Sequence, residues 1–402
     1  MDFSLSEEHH QVQKLARDFA EKEVAPIIKE ADRKQEMPSF ILPRLGELGL
    51  LGLCIPVKYG GQGMDYITLG LVCEELDYVD ISLRTALSVH LGLNSLGLLQ
   101  WGTEEQKQRY LVPQAMGEKF GMFGLTEPGA GSDVANMNST ARLEGDTYIL
   151  NGEKTWISLA SQAHHILWFA KTETDTDNTG ISAFIIETDT PGVTKDDIHG
   201  KLGARAGSTG WVNCQDVRIP TSNRIGKEGE GFKIAMSCLD NGRYTVGSGC
   251  VGVIRASLDA SVKYANERRA FGTEIGKHQL IQQKIARMTA DYEIGRMMYL
   301  KVGWLKNNGV RNTRDTSLLK WFATEAAFKN ANEAIQIHGA YGYSDEYDVE
   351  RFMRNVRATT IYEGTSEVQQ LIQAGYALGY RKDGELRREL PSYDKDEWQN
   401  NT

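Results

Sequence analysis

The stretch YILNGEKTWIS, residues 148–158, decides the fold, because it places strand-forming residues in the middle of a largely helical chain. Its β-branched and aromatic residues favour strands, and Asn151-Gly152 at its centre is typical of a tight hairpin turn. Further β-rich runs, separated by turn-forming residues, lie at 166–170, 181–187 and 211–219. The sequence therefore predicts a small antiparallel β domain over residues 119–226.

Helical patterns lie on both sides of this block. Near the N-terminus, apolar residues recur at roughly helical spacing after a possible cap at Ser4 or Ser6. We predict an N-terminal α-helical domain over residues 1–118, a C-terminal α-helical domain over 227–380 and a polar tail over 381–402. The fold class is therefore α+β.

The composition is that of a globular protein, with 402 residues, 41% apolar and 25% charged, and a net charge of −9. This balance argues against nucleic acid or an anionic membrane as the main partner. The five cysteines form no C-x-x-C motif, which predicts reduced thiols and no metal site. The sequence shows no signal peptide and no apolar run of about 18 residues, so we expect a soluble cytoplasmic protein without a membrane span.

Two segments of the middle block could carry chemistry. The backbone N–H groups of FGLTEPGAGSD, residues 123–133, can turn toward an anion or a flat polar ring, and a tight connection into the β domain is the alternative. The segment lacks the Gly-Lys-Ser/Thr ending of a Walker phosphate-binding loop. Trp156, close to the Ser158 hydroxyl, could shield a cofactor ring or fill the core.

The C-terminal helical block holds further polar segments. Its arginines at 243, 268 and 269 suit phosphate oxygens, although a solvated charged face is the commoner fate of an arginine. The stretch QIHGAYGY occupies residues 336–343, and Glu363 directly precedes Gly364 at the end of a helical region. Taken singly, a glutamate in such a turn is usually solvated.

Together and in this order, these segments resemble the acyl-CoA dehydrogenase family from about residue 3 to residue 380. The motifs that carry the resemblance are TEPGAGSD at 126–133, NGEKTWIS at 151–158, ER and FG within 267–272, QIHGAYG at 336–342 and IYEGTSE at 361–367. The resemblance implies an N-terminal helical domain, a middle antiparallel β domain and a C-terminal four-helix-bundle domain. It also implies FAD, electron-transfer flavoprotein as electron acceptor, and a homotetramer built as a dimer of dimers, in which neighbouring subunits share FAD sites.

The family's functional residues can be carried over position by position. For the CoA thioester, the resemblance implies Arg84, Thr85, Ser88, Ser132, Asp240, Asn241, Gly242, Arg243, Tyr362 and Gly364. For FAD, it implies Phe123, Leu125, Thr126, Gly131, Ser132, Trp156, Ile157, Ser158, Arg268, Phe271, Gln279, Gln336, Ile337, His338, Gly339, Ala340, Thr365, Ser366 and Glu367.

Glu363 is the catalytic base that the resemblance implies. It would take the α-proton of the thioester while the β-hydrogen leaves as hydride to FAD, and an apolar pocket would raise the pKa of Glu363 toward the working pH. Some family members carry the base near position 242 instead. This chain has glycine there, which leaves Glu363 as the base consistent with the family.

Arg84 bears on the identity of the acyl group. An arginine in an apolar helical stretch is costly unless paired, so it either forms an ion pair with Asp77 or Asp80 or awaits a substrate carboxylate. The segment resembles the glutaryl-CoA dehydrogenase subgroup, where Arg84 and Ser88 would bind a distal carboxylate. The segment after Thr365 lacks the His-Asp usual in decarboxylating members, so a substituted succinyl-CoA such as benzylsuccinyl-CoA ranks beside glutaryl-CoA.

Three alternatives remain open from the sequence. The substrate could be a short-chain or branched monocarboxylic acyl-CoA. The protein could be a related flavoprotein oxidase that passes electrons to oxygen, since an oxidase would keep the same base and FAD residues. A non-catalytic acyl-CoA-binding scaffold is the third.

Overall fold

The N-terminal part of the computed structural model, which describes residues 4–172, 180–383 and 388–400, is helical. Its helices are α1 Glu7–Phe19, α2 Ile28–Lys34, α3 Ile41–Glu47, α4 Tyr66–Val79, α5 Ile81–Leu87, α6 Leu96–Trp101, α7 Glu104–Gln106 and α8 Val112–Ala115. Ser6 caps α1 by accepting a hydrogen bond from the His9 N–H, which confirms one of the two expected caps. A π-helical segment, Ser88–Ser95, joins α5 to α6.

The middle part is a sheet. Its strands are β1 Gly121–Gly124, β2 Thr140–Glu144, β3 Thr147–Ser158, β4 His165–Lys171, β5 Ile181–Glu187, β6 Val193–Asp197, β7 Thr209–Pro220 and β8 Arg224–Ile225. The order is β6-β7-β3-β2-β4-β5-β8, with β1 paired to β4. The predicted β runs therefore form strands, as expected.

Two expectations for this sheet are wrong. The sheet is mixed rather than antiparallel, because β1 and β2 pair with β4 in parallel, and the intervening chain supplies the long crossover that parallel pairing needs. Asn151-Gly152 is not a hairpin turn but lies inside β3, where the register with β7 shifts at Gly152. The shift is a bulge in β7, where Gln215 and Asp216 both stand opposite Asn151. The hairpin turn lies at Gly145-Asp146, between β2 and β3.

Long helices complete the fold. They are α9 Gly231–Glu267, α10 Gln279–Asn307, α11 Thr313–His338, α12 Val349–Val356 and α13 Ser366–Ala377, with a short β9–β10 ribbon at Arg269–Ala270 and Thr273–Glu274. α9, α10 and α11 pack on one another, α13 packs on α11, and α4 packs on α9 and α10. One hydrophobic core runs through the N-terminal helices, the sheet and these long helices. None of the helices in the described ranges combines the length and apolar character needed to cross a membrane.

Residues 388–400 of the predicted polar tail are mostly exposed, but the segment packs against the rest of the fold. This segment ends in α14, Lys395–Gln399, and its Trp398 is only 2% exposed. The Trp398 ring packs edge-on against Tyr66 and Tyr393, with centroids 5.7 and 5.4 Å apart. A few large apolar side chains in a polar segment are enough to fasten it to the N-terminal helices.

Candidate active site

The centre of the site is the turn that connects the helical region ending at Thr360 to α13. Glu363 and Gly364 both have left-handed backbone conformations, with φ 54° and 91°. This conformation is strained for a residue with a side chain, so the surroundings must hold it in place. The Glu363 carbonyl accepts hydrogen bonds from Arg243 Nε at 3.0 Å and Gln369 Nε2 at 3.2 Å. The backbone around the predicted base is therefore fixed by side chains of α9 and α13.

The Glu363 carboxylate is placed as a general base requires. Its Oε2 atom is buried and has no hydrogen-bond partner among the described residues. Burial raises the pKa of Glu363 to about 7, against the opposing effect of Arg84, Arg243 and Lys320. A carboxylate whose pKa lies near neutrality can accept a proton at working pH and release it again.

Gly242 on α9 lies directly against this carboxylate. A Cβ atom at position 242 would overlap Glu363 Oε2 and approach Leu93 Cδ2 to 2.7 Å. A side chain there would displace the carboxylate, so glycine at 242 and glutamate at 363 belong together. This contact gives a physical reason for the absence of a second carboxylate at this place.

Residues next to Gly242 are also buried at the site. Arg243 Nη1 donates to Asp240 Oδ1 at 3.1 Å, and Thr313 donates to the other oxygen of Asp240 at 2.6 Å. Lys306 Nζ donates to Asn241 Oδ1 at 3.1 Å. The predicted thioester-binding residues Asp240, Asn241 and Arg243 of α9 are therefore buried and hydrogen-bonded next to Gly242.

Arg84 lies on α5 and is 1% exposed. Its Nε donates to Asp77 Oδ2 at 3.0 Å and its Nη2 donates to the Tyr362 hydroxyl at 2.8 Å. Burial raises the pKa of Asp77 to about 6 even though Arg84 opposes that rise. Of the two expected ion-pair partners, Asp77 is the one that Arg84 contacts, whereas Asp80 pairs with Arg351.

The residues that follow Arg84 along the chain also face the interior. Ser88 Oγ lies 2.6 Å from Thr245 Oγ1 on α9. The hydroxyl of Thr85 is buried without a hydrogen-bond partner among the described residues. Thr85 and Ser88 therefore accompany Arg84 on the side of α5 and the π-helical segment that faces α9 and the sheet.

The predicted flavin loop and strand lie side by side. The Thr155 N–H donates to the Thr126 carbonyl at 2.9 Å, and the Lys154 ammonium donates to Leu125 O at 3.2 Å and Glu127 Oε1 at 2.7 Å. Burial lowers the pKa of Lys154 to about 8 against the effect of Glu127. Sequence reasoning did not assign Lys154 or Glu127 to the site, although a lysine among strand-forming residues was an available signal.

At the end of β3, the residues fit a flat ring with polar edges. Trp156 is 60% exposed, whereas Ile157 next to it is buried. A crevice beside them is lined by Ser158 together with residues of α5 and of the segment before β7. The hydroxyls of Ser82 and Thr85, which line the crevice, are buried and lack hydrogen-bond partners among the described residues. These unused polar groups, together with the exposed indole two residues before Ser158, suit the isoalloxazine of FAD.

The glycine-rich loop before this strand leaves room for a ligand. A Cβ atom at Gly129 or Gly131 would meet nothing within 4 Å, and Ser132 is exposed beside them. Phe123 and Leu125 are buried and anchor the loop, while Thr126 stays partly accessible. The loop therefore presents its polar backbone and hydroxyls outward.

The residues predicted for the adenine side of FAD form a separate patch. Arg268 lies over the Tyr341 ring at 5.8 Å, Phe271 is 97% exposed, and Gln279, Gln336, Gly339 and Ala340 are exposed. Ile337 and His338 instead point into a second core cluster, where His338 stacks on Tyr264 at 4.2 Å. Within the described part of the chain, no hydrogen bond or ion pair joins this patch to Glu363 or Trp156.

The start of α13 lies next to the Glu363 turn. Thr365 caps the helix by accepting a hydrogen bond from the Val368 N–H at 3.3 Å. The Ser366 hydroxyl is buried without a partner among the described residues, and Glu367 is exposed. The three residues assigned to FAD here thus differ in exposure. They lie at the N-terminus of a helix, a position that favours binding of a negatively charged group such as a phosphate.

Comparison with known proteins identifies the fold. The chain matches the acyl-CoA dehydrogenase N-terminal domain at residues 6–118, the middle domain at 122–217 and the C-terminal domain at 229–377. It is 42% identical to the mitochondrial short-chain specific acyl-CoA dehydrogenase of Mus musculus, over 93% of this chain and 91% of that protein.

Solved structures agree. A glutaryl-coenzyme A dehydrogenase in complex with glutaryl-CoA superposes with a TM-score of 0.91 at 38% identity, covering 98% of this chain and all of that one. A glutaryl-CoA dehydrogenase from Mycobacterium smegmatis in complex with FADH2 has a TM-score of 0.88 at 33% identity, covering 93% of this chain and 95% of that one. With its fold and the glutamate–glycine turn, the chain therefore belongs to the acyl-CoA dehydrogenase family of FAD-dependent oxidoreductases.

Proposed function

We propose that this enzyme forms an α,β-double bond in an acyl-CoA thioester that carries a distal carboxylate, with Glu363 as the base. The observation that carries the proposal is the buried, unpartnered carboxylate of Glu363 facing Gly242, with a buried arginine beyond Tyr362. A substituted succinyl-CoA, such as benzylsuccinyl-CoA, and glutaryl-CoA both have the required carboxylate.

Glu363 contributes in two ways. Its carboxylate accepts the α-proton, and the raised pKa keeps the protonated form accessible near neutral pH. Its backbone N–H is used by no hydrogen bond among the described residues, so it can donate to the thioester carbonyl. A donor aimed at that oxygen stabilises the charge that develops as the α-proton leaves.

The FAD residues hold the cofactor beside this turn. When bound, FAD supplies the acceptor for the hydride that leaves the β-carbon. Thr126 and Ser158 bind its polar edge, and Trp156 covers the ring. Asp240, Asn241, Arg243 and Ser132 orient the CoA chain.

Arg84 is the proposed anchor for the distal carboxylate. Asp77 engages only its Nε, and among the described residues no hydrogen bond uses Nη1. Guanidinium groups bind carboxylates through two adjacent N–H donors, and the fork of Arg84 retains this capacity on its Nη1 side. Arg84 donates to the hydroxyl of Tyr362, the residue that directly precedes Glu363, so the proposed carboxylate anchor and the proposed base are joined through one turn.

A monocarboxylic acyl-CoA is the second candidate. Arg84 already has a counter-ion in Asp77 at 3.0 Å, so the pocket needs no substrate charge to balance it. The likeness to short-chain enzymes supports the same alternative. In that case Arg84 has a structural role and substrates without a distal carboxylate react best.

We also propose a dimer of dimers as the assembly and electron-transfer flavoprotein as the acceptor. The patch formed by Arg268, Phe271, Gln279 and residues 336–340 lacks bonds to the flavin loop of the same chain, as expected if it completes a neighbouring site. Exposed apolar side chains support burial against other subunits; they include Phe271, Leu280, Tyr343, Leu371 and Leu378.

The substrate proposal is tested by anaerobic flavin bleaching of the holoenzyme with glutaryl-, benzylsuccinyl-, succinyl- and butyryl-CoA. We expect a dicarboxylic thioester to give the highest kcat/KM. Arg84→Gln should then lower kcat/KM on that substrate by about 30-fold or more, because the carboxylate loses a desolvated charged donor. The variant should lose much less on butyryl-CoA.

The matched control is Arg351→Gln. It breaks another buried arginine–aspartate pair, with Asp80, whose arginine forms no hydrogen bond with Tyr362 or Glu363 among the described residues. It should lower stability while leaving the ratio of dicarboxylic to monocarboxylic kcat/KM unchanged. If Arg84→Gln also leaves that ratio unchanged, the anchor proposal is wrong and the monocarboxylic reading stands.

A further inference from the structure

Lys320 is a buried lysine beneath the Glu363 turn. It lies on α11, has no exposed surface, and its Nζ donates to the Gly364 carbonyl at 2.7 Å. No carboxylate of the described residues lies within ion-pair distance of Nζ. An ammonium in this position is expensive to bury, so its charge needs a reason other than packing.

Its acceptor belongs to the strained part of the turn. The Gly364 carbonyl takes hydrogen bonds from both Lys320 Nζ and Gln369 Nε2, the latter at 3.0 Å. Gln369 also donates to the Glu363 carbonyl, beside Arg243. Two consecutive left-handed residues are thus held by three side chains, of which two are cationic.

The charges around Glu363 are unequally compensated. Its carboxylate faces Arg84 from α5, Arg243 from α9 and Lys320 from α11. Arg84 and Arg243 have carboxylates of their own, Asp77 and Asp240, at 3.0 and 3.1 Å.

Lys320 has no such partner. The charged or titratable groups that face it are Cys250 and Arg243 of α9, Glu363 of the turn and Glu367 of α13. Cys250 is a buried thiol whose pKa is raised by burial, so it stays neutral and offers no counter-charge. Glu367 is exposed to solvent, which leaves Glu363 as the buried group that can balance the lysine.

We propose that Lys320 is a positioning residue for Glu363, which fixes the turn through the Gly364 carbonyl and favours the ionised carboxylate through its charge. The inference rests on the proposed role of Glu363 as base and adds a residue from a third helix. An ionised carboxylate is the form that accepts a proton, so the lysine allows Glu363 to act as a base at lower pH. Burial lowers the pKa of Lys320 itself to about 8, consistent with an ammonium near neutral pH.

The test is the pH profile of kcat/KM for Lys320→Met, measured as flavin bleaching by the best thioester substrate. We expect the acidic midpoint to rise by about one pH unit, so that activity at pH 6 falls about tenfold. Methionine fills similar space without charge, and Gln369 still donates to the Gly364 carbonyl, so the thermal midpoint of the holoenzyme should stay near the wild-type value. If Lys320 had only a structural role, Lys320→Met would lower the thermal midpoint and leave the acidic midpoint of the pH profile unchanged.

Two further variants separate charge from hydrogen bonding. Lys320→Arg should restore the wild-type midpoint, even where its larger head lowers kcat. Gln369→Leu removes a neutral donor from the same carbonyls, so it should lower kcat without moving the midpoint. An unshifted midpoint in Lys320→Met, or a Lys320→Met holoenzyme that melts far below wild type, shows that the inference is wrong.

Glu363→Gln distinguishes this failure from failure of the proposed function. If Glu363→Gln stays active, Glu363 is not the base and the proposed function itself falls. If Glu363→Gln is inactive and Lys320→Met keeps the wild-type midpoint, the base assignment stands and only the role of Lys320 is lost.

Discussion

Glu75 and Glu363 are both glutamates set among arginines inside the same helical framework, yet their surroundings give them opposite properties. Glu75 on α4 is 1% exposed and accepts hydrogen bonds from Gln13, Arg17 and Arg255. Burial opposes its ionisation, but the bonds from Arg17 and Arg255 outweigh burial and lower the pKa of Glu75 to about 2. At Glu363, burial wins and the pKa rises to about 7.

The difference lies in hydrogen bonds rather than in the number of nearby cations. Arg17 and Arg255 each use two nitrogens on the Glu75 carboxylate, with distances from 2.6 to 3.1 Å. The cations near Glu363 bond to other groups, since Arg84 contacts Asp77 and Arg243 contacts Asp240. Cationic side chains that donate hydrogen bonds directly to a carboxylate keep it ionised. Cationic side chains that are nearby but bonded elsewhere leave the carboxylate able to exchange a proton.

The largest expected effect follows from replacing Glu363, the glutamate of this comparison that exchanges a proton. Glu363→Gln keeps the shape and the backbone of the turn but cannot accept a proton. We expect kcat to fall by about 10²- to 10⁴-fold, the usual contribution of a general base. Stopped-flow flavin reduction with excess thioester measures this directly.

The control for that variant is flavin binding. Glu363→Gln should retain the FAD absorbance spectrum and bind substrate without bleaching. Rapid bleaching by the variant would place the base elsewhere and would remove the contrast with Glu75.

Replacing Glu75, the ion-paired glutamate, should lower stability rather than activity. Glu75→Gln removes the shared counter-ion of Arg17 and Arg255. The free energy of unfolding should fall by about 3 kcal/mol, the low end for a broken buried pair, because Arg17 is partly exposed and Arg255 keeps Glu74. Denaturant unfolding of the FAD holoenzyme measures the loss. The folded variant should keep its kcat within about twofold, because Glu75 lies outside the proposed site. A large loss of kcat in the folded protein would show that the two clusters are coupled.

The sequence predicted the architecture well because the signals for it are local. The helical periodicity near Val12, the cap at Ser6 and the strand run at 181–187 depend on neighbouring residues, and the structure has these elements. The prediction of a turn at Asn151-Gly152 was wrong because β3 continues through this dipeptide and pairs with β7, which bulges opposite Asn151. The packing of Trp398 was not predicted because its partner Tyr66 is more than 300 residues away in the sequence.

The site was predicted only as a set of residues. Motif order pointed to Glu363 and Gly242, and the structure brings them into contact. No local pattern marks Lys320 or Gln369, since their role depends on α11 and α13 meeting one turn. The choice between Asp77 and Asp80 as partner of Arg84 was likewise decided by packing, with Arg351 taking Asp80.

The smallest expected effect is on the pH dependence of the free energy of unfolding, to which Glu363 and Glu75 contribute in opposite directions. In the folded protein the pKa of Glu363 is raised from 4.5 to about 7, so the folded state binds a proton more readily than the unfolded state. Its contribution to stability is therefore full below pH 4.5 and is lost as the pH rises toward 7. Glu75, whose pKa is lowered to about 2, contributes above pH 4.5 and loses that contribution as the pH falls toward 2.

Glu363→Gln removes the titration of the base while leaving that of Glu75. The variant should be more stable than wild type by about 1–3 kcal/mol at pH 8, since a buried charge is no longer required, and the gain should vanish by pH 4.5. Glu75→Gln should show the opposite slope, with its loss shrinking as the pH falls. Denaturant unfolding of the FAD holoenzymes from pH 4.5 to 8 measures both slopes. A gain in Glu363→Gln that stays constant with pH would come from packing, and the buried charge would then not be what distinguishes Glu363 from Glu75.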